Sequence, residues 1–219
     1  MRIGLFGGTF NPIHRCHLTV AEEVQARLTL DQIIFIPAGD PPHKPSGELA
    51  PATHRLEMVK RAIENHPTFR VSDIEIRSPR PSYTIDTITY FKNADPATDW
   101  FFVVGLDAFL EFSSWKQASD LLALCHFVVC SRPGSAFETL SSLPILPPIP
   151  REDLRALDTG AQTILSIPLS PTTWLYLLAL PPCPISASQI RAAIRENRSV
   201  TEWLPPQVES YIIKAKLYR

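Results

Sequence analysis

The chain opens Arg2-Ile3-Gly4-Leu5-Phe6-Gly7-Gly8-Thr9-Phe10-Asn11-Pro12-Ile13-His14-Arg15-Cys16-His17-Leu18. A strand-length apolar run meets a glycine pair, and two histidines three residues apart follow where a helix begins. Strand, tight turn and helix in that order make a βα unit, the building block of a layered α/β fold. The glycines let the backbone come close to a ligand. A helix N-terminus offers free N–H groups and the positive end of its dipole to phosphate. His14 and His17, at i and i+3, share one helix face, and both can donate to phosphate oxygens. Alone, the segment also suits an ordinary βα turn with a solvated histidine pair, or a two-histidine metal half-site. No HExxH pattern surrounds the pair.

The same alternation continues along the chain. Ile3–Phe6, Gln32–Ile36, Arg70–Ile74, Trp100–Val104, Phe127–Val129 and Thr173–Leu178 read as strands. Helices are expected over His17–Leu28, Thr53–Asn65, Ile85–Phe91, Trp115–Leu124, Ser188–Glu196 and Pro206–Lys216. Thr53–Asn65 would turn Leu56, Val59, Ala62 and Ile63 inward and its charges outward. Short apolar strands alternating with amphipathic helices imply an α/β fold, a Rossmann-like doubly wound parallel sheet with helices on both faces. Ligands of such folds bind beyond the C-terminal ends of the strands, at the topological switch point. The Gly7-Gly8 turn lies at such an end, and so does Gly105-Leu106-Asp107.

A length of 219 residues suits one domain, residues 1–219, with 135–169 as a candidate variable insertion. The composition, 45% hydrophobic and 20% charged, supplies a core. A net charge of −1 argues against a broad nucleic-acid-binding surface. The N-terminus does not read as a signal peptide. No apolar stretch approaches the roughly 18 residues that span a bilayer, so a cytoplasmic protein without membrane association is expected. Cys16, Cys125, Cys130 and Cys183 show neither CxxC nor zinc spacing, so reduced thiols are expected, with Cys125 and Cys130 in the core. The prolines in Leu143–Pro150 and Ile167–Pro184 read as rigid connections.

A second phosphate element stands near the C-terminus, Ile185-Ser186-Ala187-Ser188-Gln189-Ile190-Arg191. Ser186-x-x-Gln189 fits a capping box. Ser188 and Arg191, at i and i+3, can reach one anion beside the helix N-terminus.

Gly7-Gly8-Thr9-Phe10-Asn11-Pro12-Ile13-His14-x-x-His17 resembles the first signature of the nucleotidyltransferase superfamily, in which a GGTFDP-type turn precedes His-x-Gly-His. Asn11 stands where Asp is common. Cys16 stands where glycine is usual and sets a side chain beside the phosphates. Ile185-Ser186-x-Ser188-x-x-Arg191 resembles the second signature, with Ser188 in place of Thr. Three further segments narrow the resemblance: Pro37-Ala38-Gly39-Asp40-Pro41-Pro42-His43-Lys44, Ser82-Tyr83-Thr84-Ile85-Asp86-Thr87, and Gly105-Leu106-Asp107 with Trp115-Lys116 and Ser131-Arg132-Pro133-Gly134. Together they are similar to bacterial nicotinate-mononucleotide adenylyltransferases over nearly the whole chain.

That resemblance implies transfer of AMP from ATP to nicotinate mononucleotide, with ATP and the mononucleotide as partners, in a monomer or homodimer. It implies His14, His17 and Arg191 as catalytic residues. ATP would be bound by Gly7, Gly8, Thr9, Phe10, His14, His17, Gly105, Asp107, Ser186, Ser188 and Arg191. The acceptor would meet Lys44, Tyr83, Thr84, Trp115 and Arg132. Mg2+ would be the cofactor, carried by the phosphates with no protein ligand. Physically, Ser82 or Thr84 can cap the helix at Ile85 and Asp107 can cap another. Free N–H groups at the Ile85 helix start favour a carboxylate over a neutral amide. Alternatives are an adenylyltransferase for nicotinamide mononucleotide or phosphopantetheine, and a non-catalytic nucleotide-binding regulator.

Overall fold

A computed structural model describes residues 1–39, 49–79 and 81–219. Its sheet has seven strands: β1 (Arg2–Gly8), β2 (Gln32–Pro37), β3 (Phe69–Val71), β4 (Asp99–Gly105), β5 (His126–Cys130), β6 (Ile164–Pro168) and β7 (Trp174–Leu178). Their order is β3-β2-β1-β4-β5-β7-β6. All neighbours are parallel except β6 and β7. The sheet grows outward from β1 to β2 and β3, then returns to β4 on the other side of β1. The switch point therefore falls between β1 and β4.

The strands form because both of their faces are covered. Ile3 and Leu5 of β1, Phe102 and Val104 of β4, and Phe127 and Val129 of β5 enter one core. Phe6, Phe101, Val103, Val128 and Cys130, pointing the other way, enter a second. Alternation along one strand thus feeds two cores. The helices are α1 (Arg15–Leu28), α2 (Ala52–Ile63), α3 (Ile74–Arg77), α4 (Thr84–Ala94), α5 (Leu106–Phe109), α6 (Ala118–Leu124), α7 (Arg151–Asp158), α8 (Ala187–Arg195) and α9 (Pro206–Lys214). On one face α4, α6 and α7 pack through residues such as Ile88, Leu121 and Leu154. On the other, α1, α2, α8 and α9 bury Val24, Met58, Ile190 and Val208. Among the described residues no helix is long and apolar enough to cross a membrane.

Several local expectations are corrected. Ile74 starts a helix instead of ending a strand. Trp115 follows a short 3-10 turn, Phe112–Ser114, and the helix beyond it begins only at Ala118. Within the proline-rich stretch Ile167–Pro184 the strand expected at Thr173–Leu178 forms as β7, and the stretch also opens on the end of β6, Ile167-Pro168, where connection is expected. Neither Ser82 nor Thr84 caps α4, because Tyr83 holds that position with no side-chain cap bond. The Ser82 hydroxyl accepts the N–H of Gly39 instead, at 3.3 Å. Gly105, not Asp107, caps α5. The charge on α2 is not all outward: Arg55 is 1% exposed, while Leu56 is only half-buried. Cys16 and Cys183 are joined by a disulfide, with Cα atoms 5.8 Å apart. Reduced thiols remain only at Cys125 and Cys130, both buried. Tertiary closure brings together two cysteines that their sequence spacing could not pair.

Candidate active site

Beyond the C-terminal ends of β1 and β4 lies a cleft of about 1120 Å³. The first signature lines it with Gly7, Gly8, Thr9, Phe10, Asn11, His14 and His17. The second lines it with Ser186, Ser188, Gln189 and Arg191, and the β4 and β5 ends add Gly105, Asp107 and Arg132.

Local packing shapes the glycine turn. Phe10 takes a left-handed backbone, φ 47°, and its ring packs edge-on against Phe6 and His17, with centroids 5.7 and 5.1 Å away. A Cβ at Gly8 would come within 2.9 Å of the Phe10 ring. Glycine there lets the ring close under the turn, and that packing holds Phe10 in its costly conformation. Asn11 is 3% exposed. Its Oδ1 accepts the Ala50 N–H at 3.0 Å and the Tyr218 hydroxyl at 2.8 Å. The amide thus ties the turn to the last residues of the chain.

His14 caps α1 and His17 is its third residue. Their rings lie 3.8 Å apart, centroid to centroid. The His14 N–H donates to His17 Nδ1 at 3.2 Å. In a neutral ring that acceptor role leaves the proton on Nε2 of His17, a donor on a cleft-lining side chain. His14 is 2% exposed. Burial first, and the Arg132 charge second, depress it to about 3. It is therefore a neutral hydrogen-bonding group near pH 7, and among the described residues its Nδ1 has no partner.

The second element assembles as a capped helix. Ser186 Oγ accepts the Gln189 N–H at 3.2 Å, and Gln189 Oε1 accepts the Ser186 N–H at 3.0 Å. Arg191 Nη1 donates to the Asn11 carbonyl at 3.0 Å and Nη2 to Ser188 Oγ at 3.3 Å. One guanidinium thus bridges the two elements. Arg132 Nε lies 3.5 Å from Asp107 Oδ1. A Cβ at Gly105 would stand 2.8 Å from that Nε, so the absence of a side chain admits the pair.

Tyr83, Thr84 and Trp115 stand outside the lining of this cleft. The Tyr83 ring lies under Lys116 Nζ, 4.6 Å from its centroid. Trp115 packs edge-on to Phe102 at 6.2 Å, and a Cβ on Gly7 would touch the Phe102 ring. Trp115 thus stands beside β4, while the start of α4 lies near the end of β2, where Ser82 meets Gly39. Within α4 the Asp86 and Thr87 N–H groups return to the Tyr83 carbonyl, so those of Thr84 and Ile85 have no intrahelical partner. Cys16, at the second position of α1, is 1% exposed. Its side chain turns into the disulfide instead of crowding the cleft. Lys44 lies outside the described residues.

Sequence reasoning missed Arg55. Its Nε donates to the Ala50 carbonyl at 3.0 Å, Nη1 to Thr9 at 2.9 Å and Nη2 to Gly39 at 2.9 Å. It joins the glycine turn to both flanks of segment 40–48. Glu75 nearby is pushed up by burial, an effect countered by the Thr87 hydroxyl and by Arg55. The available signal was an arginine at i−3 and i−4 from the inward Met58 and Val59.

A model of the cytidylyltransferase-like family matches residues 5–193. A protein of Pelobacter propionicus named "Probable nicotinate-nucleotide adenylyltransferase" is 39% identical over 219 residues, covering 100% of this chain and 98% of its own. One of the same name from Clostridium acetobutylicum is 36% identical, covering 98% and 97%. Among solved structures, Plasmodium falciparum nicotinic acid mononucleotide adenylyltransferase complexed with NaAD superposes with a TM-score of 0.70. It covers 99% of this chain and 97% of that one, at 19% identity, a likeness of fold. The sequence matches run essentially end to end, and on that ground the chain belongs to the nicotinate-nucleotide adenylyltransferases of the cytidylyltransferase-like family.

Proposed function

We propose that the protein transfers AMP from ATP to nicotinate mononucleotide, giving nicotinate adenine dinucleotide and pyrophosphate in NAD biosynthesis, as one catalytic domain working in the cytoplasm. One observation carries this reading at the level of the site. A single cleft at the switch point gathers Gly7–Phe10, His14 and His17 opposite Ser186, Ser188 and Arg191.

The acceptor's 5′-phosphate oxygen attacks the α-phosphorus of ATP in line, so no protein nucleophile is needed. Catalysis is then positioning and charge stabilisation. The glycine turn and the start of α1 receive the triphosphate. His17 Nε2–H donates to the transferring phosphoryl group and His14, neutral, steadies the same region. Ser188 and Arg191 hold the β- and γ-phosphates and meet the charge that gathers on departing pyrophosphate.

Among the described residues no three His, Cys, Asp or Glu side chains cluster as a metal cage. That donor set suits Mg2+ held mainly by phosphate oxygens and water, with Asp107 as the nearest cleft carboxylate. When bound, the ion neutralises phosphate charge. For the acceptor, the N–H groups of Thr84 and Ile85, which have no intrahelical partner, and the α4 dipole favour nicotinate's carboxylate over nicotinamide's amide. Trp115 offers a ring face, and Lys44 and Arg132 supply cations.

The test is pyrophosphate release from ATP and Mg2+ with nicotinate mononucleotide, nicotinamide mononucleotide and phosphopantetheine in parallel. Release strongest with nicotinate mononucleotide is expected. Release only with another acceptor would overturn the substrate, and release with none would overturn the enzyme.

A further inference from the structure

The disulfide occupies a position in the site that the reaction itself does not explain. Cys16 sits between His14 and His17, at the second position of α1. Cys183 stands three residues before Ser186, the cap of α8, and lines the cleft. The bridge therefore joins the two phosphate elements, 167 residues apart in sequence.

The two ends of the second element are held differently. Its C-terminal end is packed, with Ile190 and Ala193 fully buried and Arg191 bonded to the Asn11 carbonyl. Its N-terminal end is Pro181-Pro182-Cys183-Pro184-Ile185-Ser186, where Cys183 and Ile185 are half-buried and the rest exposed. The three prolines have no N–H to donate. A segment with so little buried surface opens easily; Ile185 packs against the core that α1 shares, and the covalent bond is the further tie to α1.

We propose that the Cys16–Cys183 disulfide is a redox-operated clamp on ATP binding: closed, it holds the leading arm of α8 against the two-histidine turn, and reduced, it releases that arm. This rests on the function proposed above. The reductant is a dithiol. One of its thiolates attacks Cys183 Sγ, the sulfur of the half-buried partner, forming a mixed disulfide and expelling Cys16 as a thiolate that takes up a proton. The dithiol's second sulfur then displaces Cys183. Two electrons and two protons pass to the protein, and the dithiol leaves as a disulfide. Oxidised dithiol or glutathione disulfide reverses the exchange. Cys125 and Cys130 do not compete, because burial pushes both thiols up to about 12.

The experiment compares the whole protein equilibrated with oxidised or with reduced dithiothreitol, below its melting transition. Alkylation of the folded protein followed by peptide mapping should label Cys183 only after reduction. Calorimetry with a non-hydrolysable ATP analogue should show affinity falling about tenfold on reduction, the scale of losing a preorganised arm. The KM for ATP should rise in parallel while that for nicotinate mononucleotide changes less than about twofold. Reoxidation should restore both. Cys183→Ser and Cys16→Gly should each behave as the reduced form and lose the response to dithiol. Equal analogue affinity in the two states, or ready labelling of Cys183 under oxidising conditions, would overturn the clamp. Pyrophosphate release, measured with ATP well below its KM, that is equal in both states fails the clamp and keeps the enzyme. A redox shift in analogue affinity without any release fails the enzyme and keeps the clamp.

Discussion

His17 Nδ1 accepts the N–H of His14, so the histidine that offers its Nε2 proton to the cleft is fixed by the backbone it helps to cap. In the proposed reaction His17→Ala removes one charge-stabilising donor, and it is expected to lower kcat by about 10²–10³. A variant within about threefold of wild type would remove His17 from the transition state. His14 differs, because burial holds it at about 3. Between that value and the ordinary 6.5, the unfolded chain binds a proton here that the folded chain does not. Its contribution to stability therefore rises with pH across that window and is lost as pH falls below about 6.5. Between about pH 7 and pH 4.5, urea unfolding of wild type should lose roughly 2–3 kcal/mol more than unfolding of His14→Gln. Parallel losses in both proteins would mean that the ring is not held neutral. The residue types at this site were legible in the sequence. Their electrostatics were not, since 2% exposure arises from packing that the motif does not encode.

At the scale of elements, β1, β2, β4, β5 and β7 were legible because burial on both faces makes them read as continuous apolar runs. β6 was not. Ile164-Leu165-Ser166-Ile167-Pro168 is a five-residue edge strand with only Ile167 buried. α7 was missed because it opens on three charges and shows a single turn of apolar spacing, Leu154 to Leu157. α2 carries the clearest conflict between pattern and structure, since its inward face includes Arg55. That guanidinium satisfies three backbone carbonyls, a fork that an ammonium cannot reproduce. Arg55→Lys should cost about 2–4 kcal/mol in urea unfolding, since buried acceptors lose their donors. The KM values for both substrates should rise, because the glycine turn and the flanks of segment 40–48 share this residue. An unchanged unfolding midpoint would show the carbonyls to be satisfied otherwise. At the start of α4, Thr84→Pro removes one of the two N–H groups that have no intrahelical partner and keeps the helix, since proline is tolerated at that first position. It should raise the KM for nicotinate mononucleotide more than that for ATP. Equal effects would undercut the helix-start account of the carboxylate.

On the scale of the whole molecule, one sheet separates two cores, and the two signature segments are set on the same face. α1 and α8 both pack in the core that holds Phe6 and Phe101. The strand order that creates the switch point also brings residue 16 beside residue 183, a pairing invisible in spacing because it depends on the closure of the sheet. The same closure makes the bridge a stabiliser of the ligand-free fold. Joining residues 167 apart removes much loop-closure entropy from the unfolded chain, and losing such a native disulfide costs about 2–5 kcal/mol. For a chain of this length that is a fall in Tm of about 5–15 °C. Calorimetric melting of the ligand-free protein with and without dithiothreitol measures it. Cys125 and Cys130 are thiols in both states, so the whole shift belongs to one bond. A change below about 2 °C would mean that the unfolded chain gains little freedom when the bridge is cut. The Cys16–Cys183 bond would then act only on the folded cleft, where it orders α8 against α1.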